Sequence, residues 1–203
     1  MGAMRVTGVI QAGGKSIRMG GAPKALVPLG GRSIIERVVD AVRAVTGDVL
    51  IVTNTPALYA HLGLPMVPDV FPDHGSLGGI YSGLAAVPGD AAFTVACDMP
   101  FLSVEVVRLV ASRAAEADVV IPQIAGQWET LHACYAKACL GPIERRLRSG
   151  RLKVISFFDE VRVLAITEAQ IARLCDPAVV FMNVNTPDEL DRARALAASL
   201  EAR

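Results

Sequence analysis

An α/β fold, three layers deep with helices on both faces of a mostly parallel sheet, is what the sequence predicts. Three observations carry that prediction. Short β-branched apolar runs alternate with amphipathic stretches five times between Val6 and Pro122, the rhythm of βαβ units. Two of those runs, Val6 to Ile10 and Ala91 to Cys97, open directly into a glycine-rich or acidic loop, as strands do at the ligand edge of such sheets. At 203 residues and 52% apolar, the chain has material for one large core.

The elements follow in order. Val6 to Ile10 reads as a buried first strand. Ser33-Ile34-Ile35-Glu36 has the form of a capping box and opens a helix with apolar Ile34, Ile35, Val38, Val39, Val42 and Val45 that runs to about Gly47. Val49 to Val52 is a second strand, Pro56 to Leu62 a short helix, and Met66-Val67 a third strand. Leu77 to Val87 is a helix and Ala91 to Cys97 a strand. A helix from Ser103, its N-cap, to Ala117 follows, then a strand from Val119 to Pro122. Beyond Gln123 the pattern loosens, giving a strand over Leu131 to Tyr135, a helix over Ile143 to Leu147, a strand over Val161 to Ile166 and a last helix over Asp188 to Ala198. With no repeat and no linker, residues 4–203 read as a single domain whose tail half extends the same sheet.

Composition removes several classes of function. Twenty Lys plus Arg balance twenty Asp plus Glu, so no global field draws in nucleic acid or an anionic membrane, and a phosphate site has to be built locally. One Trp, three Tyr and six Phe form no stacking cluster of the kind single-stranded nucleic acid needs. Cys97, Cys134, Cys139 and Cys175 make no C-x-x-C pair, no apolar run approaches a membrane span, and position 6, where myristoylation wants Ser or Thr, is Val6. The expectation is a reduced, cytoplasmic protein with no membrane anchor.

The loop after the first strand, from Ala12 to Lys24, carries glycines at Gly13, Gly14, Gly20 and Gly21 and cations at Lys15, Arg18 and Lys24. It is not a P-loop: Gly8 and Gly13 have the right spacing, but Gly14 stands where lysine is required. The dinucleotide fingerprint fails on spacing as well. A strand exit with small residues and three cations suits nucleotide phosphates, through close-approaching backbone N–H groups and charge neutralisation. The bland alternative is a solvated surface turn. Asp98, in Val95-Ala96-Cys97-Asp98-Met99-Pro100, follows a buried strand at the same edge. A single carboxylate there is enough to hold magnesium, whose other ligands are substrate phosphates and water. Its alternative is a turn residue before Ser103.

These residues carry a resemblance. Gln11-Ala12-Gly13-Gly14-Lys15-Ser16-Ile17-Arg18-Met19-Gly20 with Lys24 resembles the signature of the molybdenum cofactor guanylyltransferases. The doubled glycine favours the guanylyl branch over related nucleotidyltransferases, which usually read Ala-Ala-Gly there; one departure is Gln11, where the family usually has leucine. The resemblance implies a Rossmann-like three-layer α/β/α nucleotidyltransferase fold, with the nucleotide on the N-terminal half and the acceptor on the C-terminal half. It implies transfer of GMP from GTP to molybdenum-molybdopterin, with Mg2+ on Asp98 and with Arg18 and Lys24 on the phosphates. Gln11, Ala12, Gly13, Gly14, Ser16, Lys24 and Asp98 would bind GTP, together with Asp69 and with Ser76, Gly78 and Gly79 of a segment that resembles the family's guanine-pocket segment.

On the acceptor side, Asn183-Val184-Asn185-Thr186-Pro187 is similar to a family motif beside the acceptor. Capping explains Thr186, Pro187 and the acids after them without any function. Asn183 and Asn185 inherit the acceptor role. Arg145, Arg146, Arg148, Arg151 and Lys153 form the densest basic cluster, read mainly as a solvated face, with Lys153 the phosphate candidate by its resemblance to a basic family position. Asn54, near the end of the second strand, is a weak match to a family asparagine. His132 reads as a hydrogen-bonded core residue, and neither it nor His61 nor His74 builds a metal or triad cluster.

The acceptor phosphate is already an anion near neutral pH, since its second pKa is about 6, so no general base is needed. The alternatives are a cytidylyltransferase on the same cofactor, a sugar-phosphate nucleotidyltransferase, and a catalytically silent GTP-binding accessory protein. Proteins that deliver or receive the cofactor are the expected partners.

Overall fold

A computed structural model describes residues 4–13, 18–19 and 22–201. The first strand, β1 (Val6–Gln11), sits in the middle of an eight-stranded sheet with Val9 and Ile10 fully buried on opposite faces. It pairs in parallel with β2 (Val49–Val52) on one side and, on the other, with β4 (Ala91–Ala96); β3 (Met66–Val67) adds parallel to β2. The other half holds β5 (Val119–Ile124), β6 (Gln127–Trp128), β7 (His132–Ala136) and β8 (Val163–Thr167). The order is β6-β5-β7-β4-β1-β2-β3, with β8 also paired to β5.

β7 lies antiparallel between β4 and β5, and β6 antiparallel on β5, so these two run against the rest. The tail half therefore does extend the sheet, but through a hairpin. Its turn is built on Ala125 (φ 47°) and Gly126 (φ 78°), left-handed geometry that lets two strands fold back without a crossover helix. The apolar run of β7 gives no hint of direction, because a strand buried on both faces looks alike in either sense.

Helices cover both faces. α1 (Ile34–Thr46) starts at Ser33, whose hydroxyl accepts the Glu36 N–H while the Glu36 carboxylate accepts the Ser33 N–H, the reciprocal box the sequence predicts. Such a cap contributes about 1 kcal/mol. Gly47 ends the helix at φ 70°. With α3 (Val104–Ser112), α1 packs over Ile10, Ile51 and Phe93. On the other face α2 (Gly75–Ala86) and α4 (Leu140–Arg148) pack over Val9, Leu50 and Ala92.

Two expected helices differ. α3 stops at Ser112 and tightens into i→i+3 turns, Arg113 N–H to Val110 and Ala114 N–H to Ala111, which bury Ala114 and Ala117 before β5. The segment Pro56 to Leu62 is two short 3-10 turns ended by Gly63 in left-handed geometry. After β8 come two short helices, α5 (Glu168–Ala172) and α6 (Pro177–Val180), which the loosened pattern did not show.

A third apolar cluster matters for the site. The last helix, α7 (Pro187–Glu201), lays Leu190, Ala193 and Ala197 on Val27, Leu29, Ile34 and Phe101, with Val184 fully buried among them. This packing returns the end of the chain to its beginning.

Candidate active site

The carboxyl ends of β1, β2 and β4 open into a cleft of about 910 Å³. β1 contributes Gln11, Ala12 and Gly13, the exit of β2 contributes Thr53, Asn54 and Thr55, and the exit of β4 contributes Ala96, Cys97 and Asp98. The opposite wall is Asp69, Pro72, Asp73, Gly75, Ser76 and Gly79, with Lys24 and Leu131 at the remaining side. Register explains the convergence: β1 pairs Gln11 with Val52 and with Ala96, so three parallel strands deliver their loops at one level.

Asp98 is the most buried carboxylate of the cleft, 8% exposed. Its Oδ2 receives the Lys24 ammonium at 2.5 Å, and the same ammonium donates to Asn185 Oδ1 at 2.6 Å. Asp98 Oδ1 is buried and has no hydrogen-bond partner among the described residues. The Val184 N–H donates to the Asp98 carbonyl at 2.9 Å, which pins the Asn183-Val184-Asn185 segment beside it. Glu189 accepts the N–H groups of Asn185 and Thr186, and Thr186 caps the Glu189 N–H. Asn183 is half-buried with its amide on the Phe181 carbonyl. The two asparagines flank a buried Val184; neither is among the cleft-lining residues, and Asn185 meets the cleft only through its bond to Lys24.

At the other end Asp69 is tightly held. Its Oδ1 accepts the Phe71 N–H at 3.0 Å and faces the Ser82 hydroxyl at 2.8 Å; its own N–H donates to Asn54 Oδ1 at 2.9 Å. Gly78 lies against this turn: a Cβ there would stand 2.7 Å from the Phe71 carbonyl oxygen and 3.3 Å from the Asp69 carboxylate. Gly78 itself is not a lining residue; it makes room for Asp69. A Cβ on Gly79 would stand 2.5 Å from Gln11 Oε1, and Gln11 Nε2 donates to the Ser76 carbonyl at 3.2 Å. The glutamine amide lies across the start of α2, so the Gly79 position serves both packing and the cleft wall.

Several expected residues stand elsewhere. Gly14 and Ser16 lie outside the described residues, as does the side chain of Arg18, whose backbone pairs with Pro23 in a two-residue ladder. Lys153 is exposed just ahead of the 3-10 segment Val154–Glu160 and is not among the cleft-lining residues. The neighbouring arginines are engaged with acids: Arg145 with Glu160, Arg146 with Asp159 and Glu160, and Arg148 with Glu144. Arg145 and Arg148 are exposed, as the solvated-face reading expects, whereas the Arg146 side chain is only 15% exposed and packs inward beneath its two ion pairs.

His132 is in the core as expected, its backbone N–H on the Glu129 carbonyl, but its ring is not held as the sequence suggested. Both ring nitrogens lack partners among the described residues, and the ring packs edge-on to Phe93 and Phe181. Burial pushes its pKa down from 6.5 to about 3, so it is neutral and takes no part in proton transfer. Burial likewise pushes the Cys97 thiol up to about 12, with the Asp98 charge adding to the effect, which removes Cys97 as a nucleophile.

Thr53, Thr55, Asp73 and Leu131 line the cleft without having been singled out. Asp73 at φ 65° carries the one signal available, an acid in a Pro-Asp-His-Gly turn. Asn54 gains a defined place through its bond to the Asp69 N–H.

A cleft at the carboxyl edge of a mostly parallel sheet, floored by a carboxylate and a lysine and walled by a helix N-terminus, defines a nucleotide-handling α/β transferase. Residues 8–163 match the MobA-like NTP transferase domain, and the chain belongs to that family. It is 41% identical over 192 residues to the molybdenum cofactor guanylyltransferase of Desulfosudis oleivorans, covering 94% of this chain and 95% of that one. It is 38% identical to a probable molybdenum cofactor guanylyltransferase of Pelotomaculum thermopropionicum, covering 96% and 94%. The crystal structure of molybdopterin-guanine dinucleotide biosynthesis protein A from Archaeoglobus fulgidus superposes with a TM-score of 0.81 at 25% identity, covering 95% of this chain and 99% of that one.

Proposed function

We propose that this chain transfers GMP from GTP to the terminal phosphate of molybdenum-bound molybdopterin, releasing pyrophosphate and leaving the guanine dinucleotide form of the cofactor. The observation that carries the reading is the cleft-lining Asp98 carboxylate at the exit of β4, one oxygen on Lys24 and the other buried with no partner among the described residues. The full-length likeness to guanylyltransferases supports GTP as donor and molybdopterin as acceptor.

The chemistry needs positioning more than proton transfer. An oxygen of the acceptor phosphate attacks the α-phosphorus of GTP, the bond to the β-phosphate bridging oxygen breaks, and pyrophosphate leaves. The acceptor is already anionic at neutral pH, in keeping with a cleft whose thiol is protonated and with a His132 that is sealed in the core. Asp98 would hold Mg2+; no group of three or more His, Cys, Asp or Glu forms a metal cage among the described residues, and magnesium readily takes one carboxylate with substrate oxygens and water. When bound, the ion neutralises charge on the phosphates.

Lys24 and Arg18 would serve the phosphates, with Gly13, Gly14 and Ser16 of the same loop in the GTP-binding set; Ala12, whose N–H is taken by the Val52 carbonyl at 2.9 Å, would contribute by its small size rather than by its amide. Gln11, Asp69, Ser76, Gly78 and Gly79 shape the nucleoside end, where carboxylates repel phosphate and accept N–H and O–H donors. Asn183 and Lys153 remain acceptor-side candidates.

Residues 4–203 would act as one domain, since the sheet joins both halves. No helix among the described residues is long and apolar enough to cross a membrane; the reading puts the reaction in the cytoplasm, among proteins that deliver molybdopterin or receive the product. Thermal shifts with GTP, CTP, ATP and UTP, each with and without magnesium, test the donor through linkage. GTP with magnesium is expected to stabilise most; a larger shift with CTP would overturn the base assignment.

A further inference from the structure

Three chain segments meet at one ammonium group. Lys24 is set by a short 3-10 turn, Lys24–Leu26, whose Ala25 is buried. Asp98 comes from the exit of β4, and Asn185 from the segment tied to Asp98 by the Val184 N–H. The ammonium touches Asp98 Oδ2 at 2.5 Å and Asn185 Oδ1 at 2.6 Å, with the Lys24 and Asp98 side chains only 19% and 12% exposed. A divalent ion on Asp98 Oδ1, which has no hydrogen-bond partner among the described residues, would therefore sit beside a fixed positive charge in a poorly screened place.

We propose that Lys24, held by Asn185, occupies the cation position at Asp98, so that a divalent ion binds the free protein poorly and binds well only after a nucleoside triphosphate has drawn the ammonium onto its phosphates. Asn185 is then a positioning residue of the nucleotide and metal half of the site, acting through Lys24, rather than a contact of the acceptor. Its amide oxygen fixes the direction from which the ammonium approaches the carboxylate, and its backbone is fixed in turn by the Glu189 carboxylate. When the ammonium leaves, Asn185 loses its partner at the moment the metal arrives, which couples nucleotide entry to the segment carrying Asn183. The proposal rests on the function above only in taking Asp98 as the metal carboxylate; base and acceptor do not enter it.

The test is Mn2+ binding to the nucleotide-free full chain, followed by the loss of the free-ion electron paramagnetic resonance signal, for wild type, Lys24→Met, Asn185→Ala and the double variant. Removal of the competing charge is expected to tighten Mn2+ binding about tenfold or more in Lys24→Met. Asn185→Ala is expected to tighten it by a smaller factor, and the double variant to match Lys24→Met, because Asn185 acts through the lysine.

Equal Mn2+ affinity in wild type and Lys24→Met overturns the proposal. So does an Asn185→Ala protein that binds Mn2+ as wild type does while its KM for molybdopterin rises. Thermal unfolding checks that each variant is folded, and Asn185→Ala decides the matter if Lys24→Met is not. Tighter Mn2+ binding in the variants together with no GMP transfer by wild type would leave this proposal standing and refute the function.

Discussion

Replacing His132 with leucine should make the protein more stable, and more so in acid. The ring is fully buried, and Nδ1 and Nε2 find no hydrogen-bond partner among the described residues. An unsatisfied buried polar group costs about 1–3 kcal/mol, while a near-isosteric apolar swap between Phe93 and Phe181 costs under about 1.5 kcal/mol. The net expectation at pH 7.5 is a gain of roughly 1 kcal/mol.

The acid limb follows from the pKa, which burial lowers from 6.5 to about 3. The unfolded chain takes up this proton below pH 6.5 and the folded chain does not, so the stability held by the neutral ring is complete above pH 6.5. It is lost progressively as pH falls from 6.5 toward 3. At about 1.36 kcal/mol per unit, wild type should lose about 2.7 kcal/mol through this group by pH 4.5, and the variant none of it. Urea denaturation of both proteins at pH 7.5 and 4.5, with m-values compared, measures the difference. A variant less stable than wild type at pH 7.5, or one with the same loss on acidification, would refute the reasoning and mean that His132 has a partner.

Asp98→Asn keeps the volume and removes the charge that would hold the metal; turnover is expected to fall by about 10³ with circular dichroism unchanged, and turnover within tenfold of wild type would count against the role. Gly78→Ala drives a methyl into the Phe71 carbonyl at 2.7 Å; it should cost about 1–3 kcal/mol and raise the KM for GTP by displacing Asp69. Gly79→Ala meets only the flexible Gln11 side chain and should cost visibly less in the same denaturation assay. Ser33→Ala removes half of the α1 capping box and should lower stability by about 1 kcal/mol without changing kcat.

Local chemistry made part of this protein legible in its sequence. Ser33 and Glu36 announce α1, Gly47 ends it, and both appear in the structure as the pattern predicts. The β-branched run before Gln11 and the acid after Cys97 mark two strand exits, which the parallel register brings to one edge. What stayed hidden depends on long-range pairing. The reversal of β7 cannot be read from a strand buried on both faces. Nor does any local signal show that Asn185 meets Lys24, 161 positions apart; the α7 packing around Val184 accomplishes that. His132 was legible as core, but its missing hydrogen bonds follow from Phe93 and Phe181 enclosing the ring. Asn54 was visible as a residue and acquires a purpose only when the Asp69 turn folds against it.

The central claim, GMP transfer onto molybdopterin, is tested most directly by a single-turnover assay. Purified protein is mixed with molybdenum-molybdopterin, magnesium and GTP labelled at the α-phosphate, and product nucleotide and pyrophosphate are quantified together. One GMP incorporated into the pterin for each pyrophosphate released, with CTP a poor substitute, is expected. Label appearing only as free GMP, or faster transfer from CTP than from GTP, would contradict it.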